Sequence, residues 1–160
     1  MTFKTPLPDL AQALGPLLQR VPAAHQPLLI AYAERLAAER YRSWAETVTS
    51  AATKASLLAC AEREEEIAQR VESLYPDATA LQTQLLNAVP ELATAGRSLF
   101  AAYSIEDQFA LQAQGERLGA ATWRSFAKRA ADAQARDTFL ACAVLEEQSA
   151  EFLESIPSPR

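Results

Sequence analysis

Four glutamates carry the chemistry this sequence offers: Glu34, Glu64, Glu116 and Glu146. They fall into two pairs, 34 with 116 and 64 with 146, each pair 82 residues apart. Every one interrupts an apolar stripe with helical 3–4 spacing. One stripe reads Thr53, Leu57, Cys60, Glu64, Ile67, Val71, Leu74, and its counterpart reads Phe139, Cys142, Glu146, Ser149, Leu153, Ile156. The stripes around the other pair read Ile30, Glu34, Ala37, Tyr41, Trp44, Val48 and Phe109, Gln112, Glu116, Gly119, Trp123, Phe126. Stripes of this kind face a core, so the four carboxylates should point inward near mid-height. An ionised carboxylate in a core costs on the order of several kcal/mol unless something compensates it. The compensating agents open to it are bound cations, protons, arginine partners and water.

The elements that hold these residues arise by duplication. Residues 34–46 read ERLAAERYRSWAE and 116–128 read ERLGAATWRSFAK; 58–72 and 140–154 read LACAEREEEIAQRVE and LACAVLEEQSAEFLE. Placing 22–74 on 104–156 gives 20 identities in 53 ungapped positions, which makes the chain two copies of one unit. The expected helices run from about Ala23 or Pro27 to Thr49, Thr53 to Leu74, Ser104 to Ala131 and Gln134 to Ile156. A short helix over 9–15 precedes them. Ser104 caps the third long helix, with acidic residues following in its first turn. The connection over 77–102 carries one or two helical pieces, with Asp77 as a cap and Pro90 as a break. Short loops inside each copy make antiparallel hairpins, and the long link between the copies makes a crossover. The expected fold is therefore all-α: a ferritin-like antiparallel four-helix bundle of two αα-hairpins. The single domain, 1–160, divides into a first hairpin (22–76), the crossover (77–103) and a second hairpin (104–158).

Composition agrees. Hydrophobic residues make up 49% of the 160, with only 4 glycines, and no alternating β-branched run stands out. A chain of this length buries roughly 70% of its unfolded surface. The net charge of −5 argues against a nucleic-acid surface, which needs clustered lysine and arginine. No apolar run approaches the roughly 20 residues that span a membrane, and the N-terminal stretch does not read as a secretory signal. Two cysteines suggest a reducing compartment such as the cytoplasm, with free thiols. Cys60 and Cys142 read either as a redox pair or as small buried hydrophobes. Antiparallel helices would set them on opposite sides of the glutamate layer, too far apart for a disulfide. Tyr41, Trp44, Trp123 and Phe126 read as packing layers. There is no glycine-rich phosphate loop, nucleophile elbow or Cys-x-x-Cys.

The stretches AERLAAERYRSWA around Glu34 and EEEIAQRVESL from Glu64, with their repeats around Glu116 and Glu146, resemble the rubrerythrin branch of the ferritin-like superfamily. In that family two helices each give a glutamate and two give Glu-x-x-His, together holding two iron or manganese ions. The resemblance implies that Glu34 and Glu116 match the single glutamates, and that Glu64 and Glu146 begin the Glu-x-x-His pairs. Both histidine positions differ here, being Ile67 and Ser149; the only histidine, His25, lies near the start of the first long helix. Two functions follow. One is a non-catalytic binding or assembly module, homodimeric if an apolar helix face pairs, with a degenerate or weak di-metal site. The alternative is an oxidase or peroxidase-like enzyme with a carboxylate-rich pair of Fe or Mn ions. A cage for iron storage is a weaker third, since no fifth bundle helix is evident. A register one residue off would instead turn Glu65 and Glu147 inward, with Glu62 one turn earlier.

Overall fold

The computed structural model describes residues 6–157. Those residues form seven α-helices and no strand. The helices are α1 (Leu10–Leu18), α2 (Gln26–Thr47), α3 (Ala51–Glu72), α4 (Ala78–Ala88), α5 (Leu92–Ala101), α6 (Ile105–Lys128) and α7 (Ala133–Ser155). A 3-10 turn over Ala23–His25 leads into α2. None of these helices is long and apolar enough to cross a membrane.

Side-chain capping fixes where three of the four long helices begin, α3, α6 and α7. The Ser50 hydroxyl accepts from the Thr53 amide, Ser104 from Asp107 and the Asp132 carboxylate from Ala135, so each start satisfies a backbone donor left open by the first turn. Two expectations need correction. The N-terminal helix does not stop at 15: capped by Asp9, it runs through Pro16 to Leu18, where Leu17 and Leu18 pack against a small apolar cluster. Asp77 occupies the N-cap position of α4, but its side chain accepts no hydrogen bond there. Pro90 does fall between the two helices of the crossover.

The four long helices pack as two hairpins, α2 on α3 and α6 on α7, with α3 against α7. Ion pairs clamp each hairpin at positions related by the repeat. Arg35 reaches Glu72 at 2.8 Å and Glu65 at 2.5 Å, and Arg42 reaches Glu65 at 3.1 Å. In the second copy Arg117 pairs with Glu154 at 2.7 Å and Arg124 with Glu147 at 2.6 Å. Many of the charged identities between the copies are thus a partly exposed brace across each hairpin. The crossover packs beside the first hairpin, α4 and α5 both lying on α2, while α1 lies on α6.

The core falls into clusters on either side of the glutamates. One holds Tyr41, Trp44, Leu57, Cys60 and Phe109; another holds Ile67, Trp123, Phe126, Phe139 and Cys142. The two buried thiols are free and sit in different clusters. Trp44 meets Tyr41 and Phe109 edge-on, and Trp123 stacks on Phe139 with ring centres 5.8 Å apart. These rings pack the core, and the polar atoms of Tyr41, Trp44 and Trp123 also donate hydrogen bonds.

Candidate metal centre

All four glutamates of the stripes are buried: Glu64, Glu116 and Glu146 at no more than 1% exposure and Glu34 at 9%. Each comes from a different long helix, α2, α3, α6 and α7. Carboxylate oxygens of Glu34, Glu64 and Glu146 lie within 4.8 Å of one another, close enough to ligate one cation together. Glu116 is buried beside them but stands outside that close group of three.

The partners of the four differ, and the differences define the site. Glu116 is fixed at one oxygen by the Tyr41 hydroxyl at 2.5 Å and the Gln112 amide at 2.8 Å, while its other oxygen has no hydrogen-bond partner. Gln112 in turn accepts from Arg40 at 2.7 Å, so a chain of donors runs from that guanidinium to Glu116. Glu146 accepts from the Trp123 indole at 2.8 Å. Glu64 accepts from no N–H or O–H group at either oxygen, although it is wholly buried. Its polar neighbours are other carboxylates, which can hydrogen-bond to it only when one of the pair carries a proton.

Burial sets the proton affinity of this cluster. Glu64 and Glu146 are held well above the usual carboxylate range, first by loss of water and then by the negative charges around them. Glu34 is raised too, again mainly by burial, and hydrogen-bonding with Glu64 and Glu146 partly offsets the effect. Burial also raises the Tyr41 hydroxyl and pushes the Cys142 thiol up to about 12, so neither is a poised acid or nucleophile at neutral pH.

Glycine makes room for one ligand. A methyl group at Gly119 would lie 2.5 Å from Glu146 Oε1, well inside contact distance. The repeat-related residue in the first copy is Ala37. The second copy therefore carries no side chain where the Glu146 carboxylate leans against α6.

The positions that would carry histidines add no ligand. Ile67 and Ser149 are both fully buried. Ile67 has no donor atom, and the Ser149 hydroxyl accepts from Arg63 Nε at 2.9 Å. Arg63 also reaches Cys60 Sγ at 3.1 Å, which ties up that thiol as well. His25 packs edge-on against Tyr75. The register that would place Glu65 and Glu147 inside is corrected: both sit at the surface in ion pairs with arginine, and Glu62 is exposed. Arg35, Arg63 and Arg117 do not neutralise the buried glutamates, because they are engaged elsewhere. Arg40 is the one arginine whose charge favours the ionised Glu34, and it reaches Glu116 only through Gln112.

The residues present therefore fit a hard divalent cation bound by oxygen alone. They do not provide the imidazole ligands of the familiar di-iron arrangement. Sequence reasoning located the four acids but not their supports: Tyr41, Gln112, Trp123 and Gly119. Gln112 and Gly119 were the available signal, a polar residue and a gap in an otherwise apolar stripe beside Glu116. No protein-family model, curated protein or solved structure matches this chain.

Proposed function

We propose that this chain is a ferritin-like four-helix bundle, related to the rubrerythrin branch but degenerate at both histidines, that works as a non-catalytic binding module for hard divalent cations. Glu34, Glu64 and Glu146 hold the first ion. The free oxygen of Glu116 is the additional donor available to a second, giving two Fe or Mn ions at most. The observation that carries this reading is Glu64: a carboxylate with no exposure and no donor at either oxygen, facing two other carboxylates. A buried charge in that state is strongly unfavourable, and a cation discharges it directly. When bound, the cation supplies positive charge and Lewis acidity to the cluster. The protein's own part is to hold the oxygens: Trp123 orients Glu146, Tyr41 and Gln112 orient Glu116, and Gly119 leaves the space.

One observation favours the alternative, an oxidase or peroxidase-like enzyme: an apolar cavity reaches Glu34, Glu116 and Glu146, as a substrate would require. Against it stand Ile67 and Ser149, which leave the metals without nitrogen ligands. Equilibrium dialysis of chelator-treated protein against Mn²⁺ tests the binding reading. Saturable binding of one to two ions per chain supports it, and the absence of saturable binding overturns it. Anaerobic loading with Fe²⁺ followed by oxygen-uptake measurement separates the two functions, since turnover would make the chain an enzyme.

A further inference from the structure

A cavity of about 300 Å³ lies among α1, α2, α5 and α6, within the size range of small-molecule sites. Its walls are apolar, with Leu10, Leu14, Leu29, Ile30 and Leu99 among them, and Glu34, Glu116 and Glu146 form its polar floor. At one end it meets an outer cleft, the two sharing Leu36, Arg40, Gly96 and Phe100. That cleft carries two cations, Arg40 and Arg97, and one carboxylate, Glu39. Arg40 makes no ion pair among the described residues. Its guanidinium is nonetheless held in place, 3.9 Å over the Phe100 ring and donating to Gln112. Gly96 leaves it room, since a methyl group there would sit 3.2 Å from Nη2. A fixed guanidinium with no direct ion-pair partner, where an apolar cavity adjoins an outer cleft carrying a second arginine, matches a carboxylate head on an alkyl tail.

We propose that the cavity binds a medium-chain aliphatic carboxylate, its tail lying along α1 and α2 over the glutamates and its head on Arg40 with Arg97 nearby. The inference rests on the cation reading in one respect: a bound ion discharges the floor the tail crosses. Calorimetric titration of Mn²⁺-loaded protein with decanoate tests it. Binding should be one to one, and octanoate should bind about tenfold more weakly, because two buried methylenes are lost. Decanol should also bind about tenfold more weakly, lacking the charge-assisted hydrogen bonds to Arg40. Ala33→Phe, which fills the cavity from α2, should abolish decanoate binding while leaving Mn²⁺ affinity unchanged. Arg40→Gln should bring decanoate down to the level of decanol. Equal binding of decanol and decanoate by the wild-type protein, indifference to chain length, or undiminished decanoate binding by Ala33→Phe would each overturn the proposal. Mn²⁺ binding is measured first, without decanoate. If the ion binds and decanoate does not, this inference alone falls. If the ion does not bind, decanoate is titrated into the metal-free protein, and no binding there removes the carboxylate site as well.

Discussion

Replacing Glu64 by methionine should make the metal-free protein more stable and the metal-loaded protein indifferent to metal. Glu64 is wholly buried and has no donor at either oxygen, so in the metal-free state it costs the desolvation of an unsatisfied carboxyl with little in return. Methionine keeps the unbranched shape and fills irregular gaps in a core. Exchanging a buried polar group left without a partner for a packed apolar side chain recovers the roughly 1–3 kcal/mol that leaving it unsatisfied costs. Taking about 2 kcal/mol, and about 2–4 °C per kcal/mol for a chain of this size, the metal-free variant should melt roughly 4–8 °C above the metal-free wild type. With Mn²⁺ at a hundred times its dissociation constant, the wild type should gain about 2.7 kcal/mol and the variant nothing. The order of the two melting temperatures should therefore close or reverse on adding metal. Thermal melts by circular dichroism, with chelator and with Mn²⁺, read this directly. A metal-free variant that melts several degrees below the wild type would refute the reasoning, because Glu64 would then be stabilising the fold without any cation.

Other outcomes follow from the same geometry. Burial raises the proton affinity of Glu34, Glu64 and Glu146, so the folded metal-free protein keeps protons that the unfolded chain releases. Their stabilising effect is complete below the usual carboxylate range and is lost as pH rises towards the elevated folded-state values, by about 1.4 kcal/mol per pH unit for each group retaining its proton. Denaturant melts from pH 4.5 to 8 should show metal-free stability falling, and Mn²⁺ binding at neutral pH should release protons to a weakly buffered indicator. Gly119→Ala should lower Mn²⁺ affinity at least tenfold by displacing Glu146, although alanine is the better helix former by about 1 kcal/mol; unchanged affinity in a dialysis assay would count against Glu146 as a ligand. Tyr41→Phe removes the hydroxyl on Glu116 and should cost about 1–3 kcal/mol in urea melts. Arg42→Ala and Arg124→Ala, which cut half-exposed pairs, should each cost less than about 1 kcal/mol and leave Mn²⁺ binding alone.

The duplicated hairpins and their inward stripes were legible because a period near 3.6 in apolar residues records which face of a helix is buried. Glu34, Glu64, Glu116 and Glu146 stand out against such stripes, and the repeat states the same fact twice. Identity between the copies was less discriminating. It marked Glu65 and Glu147 as strongly as Glu64 and Glu146, because an ion pair bracing a hairpin survives duplication as readily as a core ligand. Only the partner arginines, Arg42 and Arg124, tell the two apart, and such pairing depends on how the helices sit against each other. The cavity was less legible still. Its walls come from α1, α2, α5 and α6, and no single helix face records the gap that four helices leave between them. Pro16 misled for a related reason: the local preference to end a helix gave way to the packing of Leu17 and Leu18 beyond it.

The most direct test is an anomalous-difference map from crystals of the protein grown with Mn²⁺. The account predicts a peak among the Glu34, Glu64 and Glu146 carboxylates, with both Glu64 oxygens drawn toward it, and no such peak in the Glu64→Met variant. A map without density there, with Glu64 instead sharing a proton with a neighbouring glutamate, would contradict it.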